Sequence, residues 1–264
     1  MSVINSVKKF LLRTAFAKIL KNIQAIISYA RILYIKDGIE RKTVYCISPY
    51  KTGTTYLASC FSPEISQHEP LHHLSLKMLE KKFNHFFPKR MKHLNLKLEC
   101  SGFWSAYINQ LAQNQIAKDL EYIWILRSPS SWVTSVINNW HQPNLLEYKF
   151  QFIIELFWEK KVGVNLHDFE IGSDTLKNQE IIDKLIQFYF DVTKNTSLLK
   201  NLTYIKLKEL DKNLAHVESL IHETSTIENR WKREAKRKPF IYKDQSIDAK
   251  YELLVAKLIE ERNS

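Results

Sequence analysis

The nine residues SPYKTGTTY, at positions 48–56, lie between an apolar run, TVYCI, and a stretch of helical character, LASCF. Only 5 glycines occur in the 264 residues, and one of them, Gly53, follows Lys51 and precedes Thr54 and Thr55. A glycine in a strand-to-helix turn lets the backbone approach an anion closely, while lysine and threonine add a charge and hydroxyl donors. The stretch therefore predicts an anion-binding turn between a strand and a helix.

The segments around this turn alternate between strand and helix character. Apolar, β-branched and aromatic runs predict strands at 42–48, 94–100, 121–127 and 202–210. Helical periodicity predicts one helix that begins near Thr54 and others at 104–117, 131–140, 145–161, 179–200 and 247–262. A further helix follows the strand at 202–210 and ends at residue 222. This order predicts an α/β fold, a single P-loop-like domain with a mostly parallel central sheet flanked by helices. We assign residues 41–264 to that domain and residues 1–40 to a basic helical segment.

The composition indicates an anionic partner and a reducing compartment. Lysine and arginine outnumber aspartate and glutamate by 39 to 28, which gives a net charge of +11. Nucleic acid, an anionic membrane and a phosphorylated small molecule are candidate partners, although no nucleic-acid-binding motif occurs. The spacing of Cys46, Cys60 and Cys100 is not that of a metal site. It predicts buried free thiols in a cytoplasmic protein without a structural metal.

The first 35 residues form a distinct basic segment with six cations and no acid. Its apolar residues recur at helical spacing, but no apolar run reaches the roughly 18 residues of a membrane span. No signal-peptide pattern follows it. Two interpretations stay open: a helix lying on anionic lipid at the inner face of the membrane, or a helix that packs on the domain and exposes its lysines to water.

The lysine–glycine turn differs from the nucleoside-triphosphate version of such a loop. That motif places its lysine after a second glycine, whereas here Lys51 precedes Gly53. A Mg²⁺-nucleotide site also needs an acid at the end of a neighbouring strand, and the strand EYIWIL is followed by Arg127. Both differences argue against an ATP site.

The stretch PYKTGTTYL resembles the signature of the sulfotransferase family, with one residue inserted between Pro49 and Lys51. Members of that family use 3′-phosphoadenosine-5′-phosphosulfate (PAPS) as the sulfuryl donor. The resemblance implies that the 5′-phosphosulfate is held by Lys51, Thr52, Gly53, Thr54 and Thr55. It also implies that Tyr56 stacks on the adenine ring, and that Lys51 neutralises the leaving group, so that no metal is required.

A second signature of the same family occurs in ILRSPSSWVTSVIN. Arg127 ends a strand, Pro129 lies in the turn, and Ser135 follows eight residues after the arginine. In the family this pair binds the 3′-phosphate of the donor. A serine in the second helical turn faces back toward the strand end, where it can donate to the same phosphate. The resemblance covers residues 42–140 well and is weaker around LKEL at 207–210.

The general base is expected at Glu69, a position that resembles the carbohydrate- and tyrosine-modifying branch of the family. His68, His72 and His73 surround this glutamate and could orient it or replace it as base. The other branch of the family uses a histidine at the end of the strand that precedes the Arg127–Ser135 unit. Here that strand end, KLECSGFW, contains no histidine, and Glu99 is the nearest titratable group. The family's C-terminal basic loop has its counterpart in NRWKREAKRKPF, with Arg230, Lys232, Arg233, Lys236, Arg237 and Lys238.

The sequence therefore favours a sulfotransferase that moves a sulfuryl group from PAPS to a hydroxyl or amine. The expected acceptor is a carbohydrate or glycolipid, since a carboxylate base suits a weakly acidic hydroxyl. Two alternatives stay open: a P-loop-like small-molecule kinase, and a non-enzymatic basic module bound to membrane or nucleic acid. The second leaves the spacing of Lys51, Gly53, Arg127 and Ser135 unexplained.

Overall fold

The computed structural model describes residues 15–34, 42–141, 148–226 and 239–263. The strands are β1 Val44–Cys46, β2 Ser66–His68, β3 Leu98–Cys100, β4 Glu121–Leu126 and β5 Asn201–Lys206. The α-helices are α1 Ala15–Leu33, α2 Thr54–Ser59, α3 His72–Leu94, α4 Ile108–Gln113, α5 Pro129–Trp140, α6 Tyr148–Ile153, α7 Leu176–Asn195, α8 Leu214–Ile221 and α9 Gln245–Asn263. The π-helix Ile154–Val162 continues α6, and short 3₁₀ turns include Gly102–Tyr107, Ala117–Asp119, Leu166–Asp168, Thr196–Leu198 and Leu207–Glu209.

The five strands form one sheet in the order β2-β3-β1-β4-β5, and every pair is parallel. This confirms the predicted single α/β domain with a central parallel sheet flanked by helices. The four predicted strands are present, although shorter than their apolar runs. The fifth strand, β2, and the long helix α3 were not predicted. The predicted helix at 104–117 is a 3₁₀ turn followed by the short α4.

Side chains alternate between the two faces of the sheet and build a core on each side. Tyr45, Tyr122 and Trp124 belong to the larger core, which is rich in tryptophan and phenylalanine. Cys46 and Ile123 belong to the smaller core on the other face. The period of two along each strand produces this division. The three cysteines are buried and free, as predicted.

The basic N-terminal segment is described from Ala15 onwards, and α1 packs on α3. Ile32 is buried, Ala25 and Tyr29 pack on the larger core, and the ring of Tyr29 lies 6.2 Å from that of Phe86. Within the described residues, no helix has both the length and the apolar character that crossing a membrane needs. One face of α1 thus belongs to the domain, and the boundary at residue 40 stays a prediction.

Candidate active site at the carboxyl ends of the strands

The anion-binding turn lies at the topological switch point of the sheet. The connection after β1 runs to β2 at one edge, while the connection after β4 leads to β5 at the other. Neighbouring parallel strands whose connections diverge leave a crevice beyond their carboxyl ends, and ligands bind there in open α/β sheets. Lys51 follows β1 and Arg127 follows β4, so the sheet brings the two predicted cations to this crevice.

The backbone of the turn is held in a conformation that favours glycine. Gly53 has φ 114°, and a Cβ there would lie 2.6 Å from Cδ1 of Leu207. Lys51 also has a positive φ, 69°, and Thr52 Oγ1 donates to the carbonyl of Pro49 over 2.7 Å. Two left-handed residues within three positions curve the backbone in the manner of anion-binding loops. The following helix, α2, spans only 6 residues, so most of the positive charge comes from side chains.

Arg127 joins the two halves of the crevice. Its guanidinium donates to the carbonyl of Lys51 over 2.5 Å and to Ser131 Oγ over 3.0 Å. Burial lowers the pKa of Arg127, yet a guanidinium stays charged at any physiological pH. Tyr189 donates to the Arg127 carbonyl over 2.8 Å and so supports its backbone. A cation is thereby fixed beside the lysine loop.

Helix α5 presents one face to this site. Lys51 Nζ donates to Asn139 Oδ1 over 2.8 Å, and Arg127 contacts Ser131. Residues four apart lie above one another on a helix, so Ser131, Ser135 and Asn139 share a face. Because both ends of that row contact the two cations, the predicted donor residue Ser135 faces the same crevice.

The adjacent face of α5 anchors the chain that follows the basic loop. Asn138 exchanges hydrogen bonds with the backbone of Phe240, at 2.7 and 3.1 Å, and Thr134 exchanges them with Tyr242, at 3.2 and 2.9 Å. Ser130 exchanges them with Asp244 in the same way. The six predicted basic residues from Arg230 to Lys238 lie outside the described residues. Phe240, two residues after Lys238, is therefore held on the helix that borders the crevice.

Tyr56 lies on the opposite side of the turn from α5. Its ring is partly buried against the smaller core, and its hydroxyl donates to Asp211 Oδ1. The contact fixes the ring beside the loop after β5. Stacking of this ring on adenine stays a prediction.

The two threonines of the turn connect it to the predicted base region. His68 Nε2 lies 3.3 Å from Thr54 Oγ1 and 3.1 Å from Thr55 Oγ1. The same nitrogen is 3.6 Å from Glu69 Oε1. Burial lowers the pKa of His68, with further lowering by His72 and Lys51, although Glu69 opposes them. The predicted anion-binding turn and the predicted base are therefore in contact through His68.

Glu69 is held by a chain of side chains that ends at Tyr50. His72 Nδ1 lies 3.1 Å from Glu69 Oε2, and the Tyr50 hydroxyl lies 2.5 Å from His72 Nε2. Burial, with Glu69 and Tyr107 acting in the same direction, raises the pKa of Tyr50 well above its usual value. The phenol keeps its hydrogen and can donate to Nε2; in the tautomer that accepts this bond, the Nδ1 hydrogen is directed to the carboxylate.

The charge state of Glu69 follows from these neighbours. Burial by itself raises the pKa of its carboxyl. His72, His68 and Lys51 together lower that pKa by more than burial raises it, so the net pKa lies below the usual value. The side chain keeps 16% of its surface exposed. An ionised carboxylate with a fixed orientation and access to solvent has the properties of a general base.

Glu99, the alternative base, is instead part of a buried ion pair. Its carboxylate accepts two hydrogen bonds from Arg90, at 2.6 and 2.9 Å, and others from Ser101 and Trp104. Arg90 also donates to the carbonyl of Pro70 over 2.8 Å. A carboxylate with these partners is unsuited to accept a substrate proton. It serves to hold the segment that carries Glu69.

That segment adopts a conformation that isolated residues avoid. Glu69 and Leu71, on either side of Pro70, both have φ 52°. Left-handed backbone is costly for residues with a side chain, and α-type conformations are disfavoured before proline. Arg90 and the bond from the Glu69 amide to the Cys100 carbonyl, 3.1 Å, maintain this shape. Such strain is characteristic of functional sites.

Tyr50 is the residue inserted into the lysine–glycine signature, and sequence reasoning assigned it no role. It is buried, its carbonyl accepts from Trp132 Nε1 over 2.7 Å, and its ring lies 4.6 Å from that of Phe157. A Cβ at Gly102 would lie 2.7 Å from the Tyr50 amide nitrogen, so a glycine is needed where the insertion passes. The extra residue in the motif was the available signal for this role. Asn139 was also missed, although it lies one helical turn beyond Ser135.

A cavity of about 280 Å³ adjoins the base region. Phe152 contributes to its wall, and its ring lies 5.4 Å from His72 and 4.8 Å from His73. The lining consists of Asn22, His73, Leu76, Lys77, Glu80, Lys81, Phe152, Glu155, Leu156 and Lys160. A larger cavity, of about 330 Å³, includes none of the predicted site residues. Among the described residues, no cluster of His, Cys, Asp and Glu has the arrangement of a metal site.

Comparisons with known proteins give one likeness of overall structure. No family model matches the chain, and no curated protein matches it. A sulfotransferase from Alicyclobacillus acidocaldarius, solved by crystallography, superposes with a TM-score of 0.41 and 12% sequence identity. The alignment covers 85% of this chain and 95% of that one. Sulfotransferase activity is the stated property of the Alicyclobacillus acidocaldarius protein.

Proposed function

We propose that this chain is a PAPS-dependent sulfotransferase with a hydroxyl-bearing acceptor. One observation supports it most: Arg127, at the end of β4, contacts the Lys51 turn after β1, while His68 links the other side of that turn to Glu69. Two cations thus lie on one side of the turn, and a held carboxylate contacts its other side through His68. This is the arrangement that transfer of an anionic group to a neutral hydroxyl needs.

The donor would be bound by both sequence signatures, the turn in PYKTGTTYL and the strand end and helix in ILRSPSSWVTSVIN. Lys51 and the curved backbone of the turn would hold the 5′-phosphosulfate, and Arg127 with Ser135 would hold the 3′-phosphate. Helix α5 supports this division, because its Ser131–Ser135–Asn139 face contacts both cations. The same helix anchors Phe240, so the basic residues before Pro239 are proposed as further donor contacts.

The transfer itself requires a base and a stabilised leaving group. The acceptor oxygen forms a bond to sulfur while the bond between sulfur and the bridging phosphate oxygen breaks. The acceptor proton passes to the Glu69 carboxylate, and the Lys51 ammonium neutralises the charge that remains on the phosphate. Atoms and charges balance without a redox step.

The acceptor is proposed to be a carbohydrate or glycoconjugate that enters the 280 Å³ cavity. Phe152 offers an aromatic face, and lysines and glutamates offer hydrogen-bonding partners for hydroxyl groups. The cavity reaches His73, next to His72 in the chain that holds Glu69. We propose that the acceptor hydroxyl extends from the His73 end of this cavity toward Glu69.

Ligand binding separates this proposal from a kinase. Isothermal titration should show that adenosine 3′,5′-bisphosphate binds without metal and more tightly than ADP with Mg²⁺. Transfer of radiolabelled sulfate from PAPS to carbohydrate acceptors then tests the reaction. Tighter binding of ADP with Mg²⁺ would contradict the proposal and favour a kinase.

Removing either proposed 3′-phosphate contact should selectively weaken the binding of nucleotides that carry a 3′-phosphate. Arg127→Ala and Ser135→Ala are expected to reduce binding of the bisphosphate, with little effect on adenosine 5′-phosphate. Losing a charge-assisted hydrogen bond costs on the order of 1.5–3 kcal/mol, or roughly 10-fold to 150-fold in affinity. Ser197→Ala, at an exposed serine, is the control. Equal losses for the two nucleotides would show that neither residue reads the 3′-phosphate.

Removing the Tyr50 hydroxyl should affect turnover and spare donor binding. Tyr50→Phe keeps the buried ring and loses the contact with His72 Nε2. A neutral hydrogen bond is worth about 1 kcal/mol, so the rate constant kcat is expected to fall about fivefold. Its pH profile should shift as well, since the tautomer of His72 is no longer imposed. An unchanged kcat and pH profile would assign Tyr50 to packing alone.

A further inference from the structure

Helix α1 has a second face that the described part of the domain leaves uncovered. Ile19, Ile23, Ile26 and Ile27 are 48% to 67% exposed, although isoleucine is among the most buried residue types. Their spacing, at intervals of four, three and one, places them on one stripe of the helix. The residues that pack on the core, Ala25, Tyr29 and Ile32, lie on the other side.

The charged residues of the same segment are all positive. Residues 1–35 carry six cations and no acid, and α1 contains no acidic residue among them. Arg31 is exposed on the helix itself. An apolar stripe and an excess of cations are the two signals that together hold a helix on an anionic bilayer.

We propose that α1 docks on an anionic membrane surface, with its isoleucine stripe among the acyl chains. Charge complementarity selects this occupant. A second copy would bring two segments of six like charges together, and a nucleic acid would leave the apolar stripe in water. Only a surface that is anionic outside and apolar beneath satisfies both properties. The inference does not depend on the proposed reaction.

Vesicle co-sedimentation tests this docking with the full chain. Binding is compared on vesicles of phosphatidylcholine alone and of phosphatidylcholine with phosphatidylglycerol, at about 0.1 M and about 1 M salt. We expect binding to the anionic vesicles at low salt and its loss at high salt. Ile23→Glu should weaken it about tenfold or more, the value of one isoleucine side chain buried in an apolar phase.

Leu253→Glu on α9 is the matched control, because Leu253 is also exposed and lies on a helix outside the basic segment. It should bind vesicles as the parent chain does. Circular dichroism and bisphosphate binding confirm that both variants are folded. Equal binding of the Ile23→Glu variant and the parent would overturn the proposal. So would concentration-dependent dimers that Ile23→Glu dissociates, without vesicle binding, since they would identify a second copy as the occupant.

Discussion

Replacing Lys51 by alanine is expected to lower kcat by about a hundredfold to a thousandfold, the range seen when one preorganised stabilising group is lost. The ammonium donates to Asn139 Oδ1 over 2.8 Å. In the proposed reaction its charge acts on the departing phosphate oxygen. Losing an interaction that strengthens in the transition state lowers kcat more than it weakens substrate binding. The measurement is sulfate transfer from PAPS at saturating donor.

Two further variants make this result specific. Lys51 has φ 69°, so Lys51→Gly removes the same side chain while relieving the backbone of a left-handed non-glycine residue. A loss of kcat in both variants therefore cannot arise from strain. Lys200→Ala, at the amino end of β5 and far from the crevice, controls for net charge. Activity within about threefold of the parent, with an unaltered circular dichroism spectrum, would exclude Lys51 from the chemistry.

Replacing Glu69 by glutamine should lower kcat by about a hundredfold or more while donor affinity survives. The amide keeps the size of the side chain and its contact with His72, but it cannot take a proton. Glu64→Gln, at an exposed residue five positions earlier, is the control. If Glu69→Gln turns over normally while alanine at His68, His72 or His73 does not, a histidine is the base and the proposed carbohydrate acceptor loses its support.

The pH dependence gives a second readout of Glu69. The net pKa of its carboxyl lies below the usual 4.5, so the base is ionised at neutral pH and is lost only as the pH falls through that lowered value. The parent enzyme should therefore keep its kcat through the range near 6.5 where histidines usually titrate. Glu69 also raises the pKa of His68, so nuclear magnetic resonance should show a lower His68 pKa in the Glu69→Gln variant. An unchanged His68 pKa would contradict the contact between them.

The lysine–glycine turn and the Arg127–Ser135 pair could each be read from the sequence because each depends on local geometry. A glycine with positive φ is needed in the turn, and a residue eight positions after the strand end lies in the second turn of a helix that begins at Pro129. The strands β1, β3 and β4 were also predictable, since their runs are buried on both faces. The edge strand β5 is only partly buried, and its β-branched and aromatic residues were the signal. The order of these strands in the sheet follows from tertiary packing.

The remainder was decided by contacts between distant segments. β2, with the sequence SQH, has no apolar pattern, and it is a strand because it pairs with β3 at the sheet edge. α3 contains Pro88 and a kink at Lys82, so its helical periodicity is interrupted. Neither element carries a local signal strong enough to identify it.

The base region shows the same limit most clearly. In the sequence Glu69 was the expected base, and the neighbouring histidines and Glu99 stayed open as alternatives, because residue type alone does not specify a partner. Tertiary structure separates them: Arg90 neutralises Glu99 inside the core, while the inserted Tyr50 orients His72 toward Glu69. The sequence identified the lysine–glycine turn after one strand and the arginine after another, and the pairing of β1 with β4 brought them to one crevice. Only long-range packing decided which carboxylate faces them, since burial and charge partners, which set its ionisation, come from other parts of the chain.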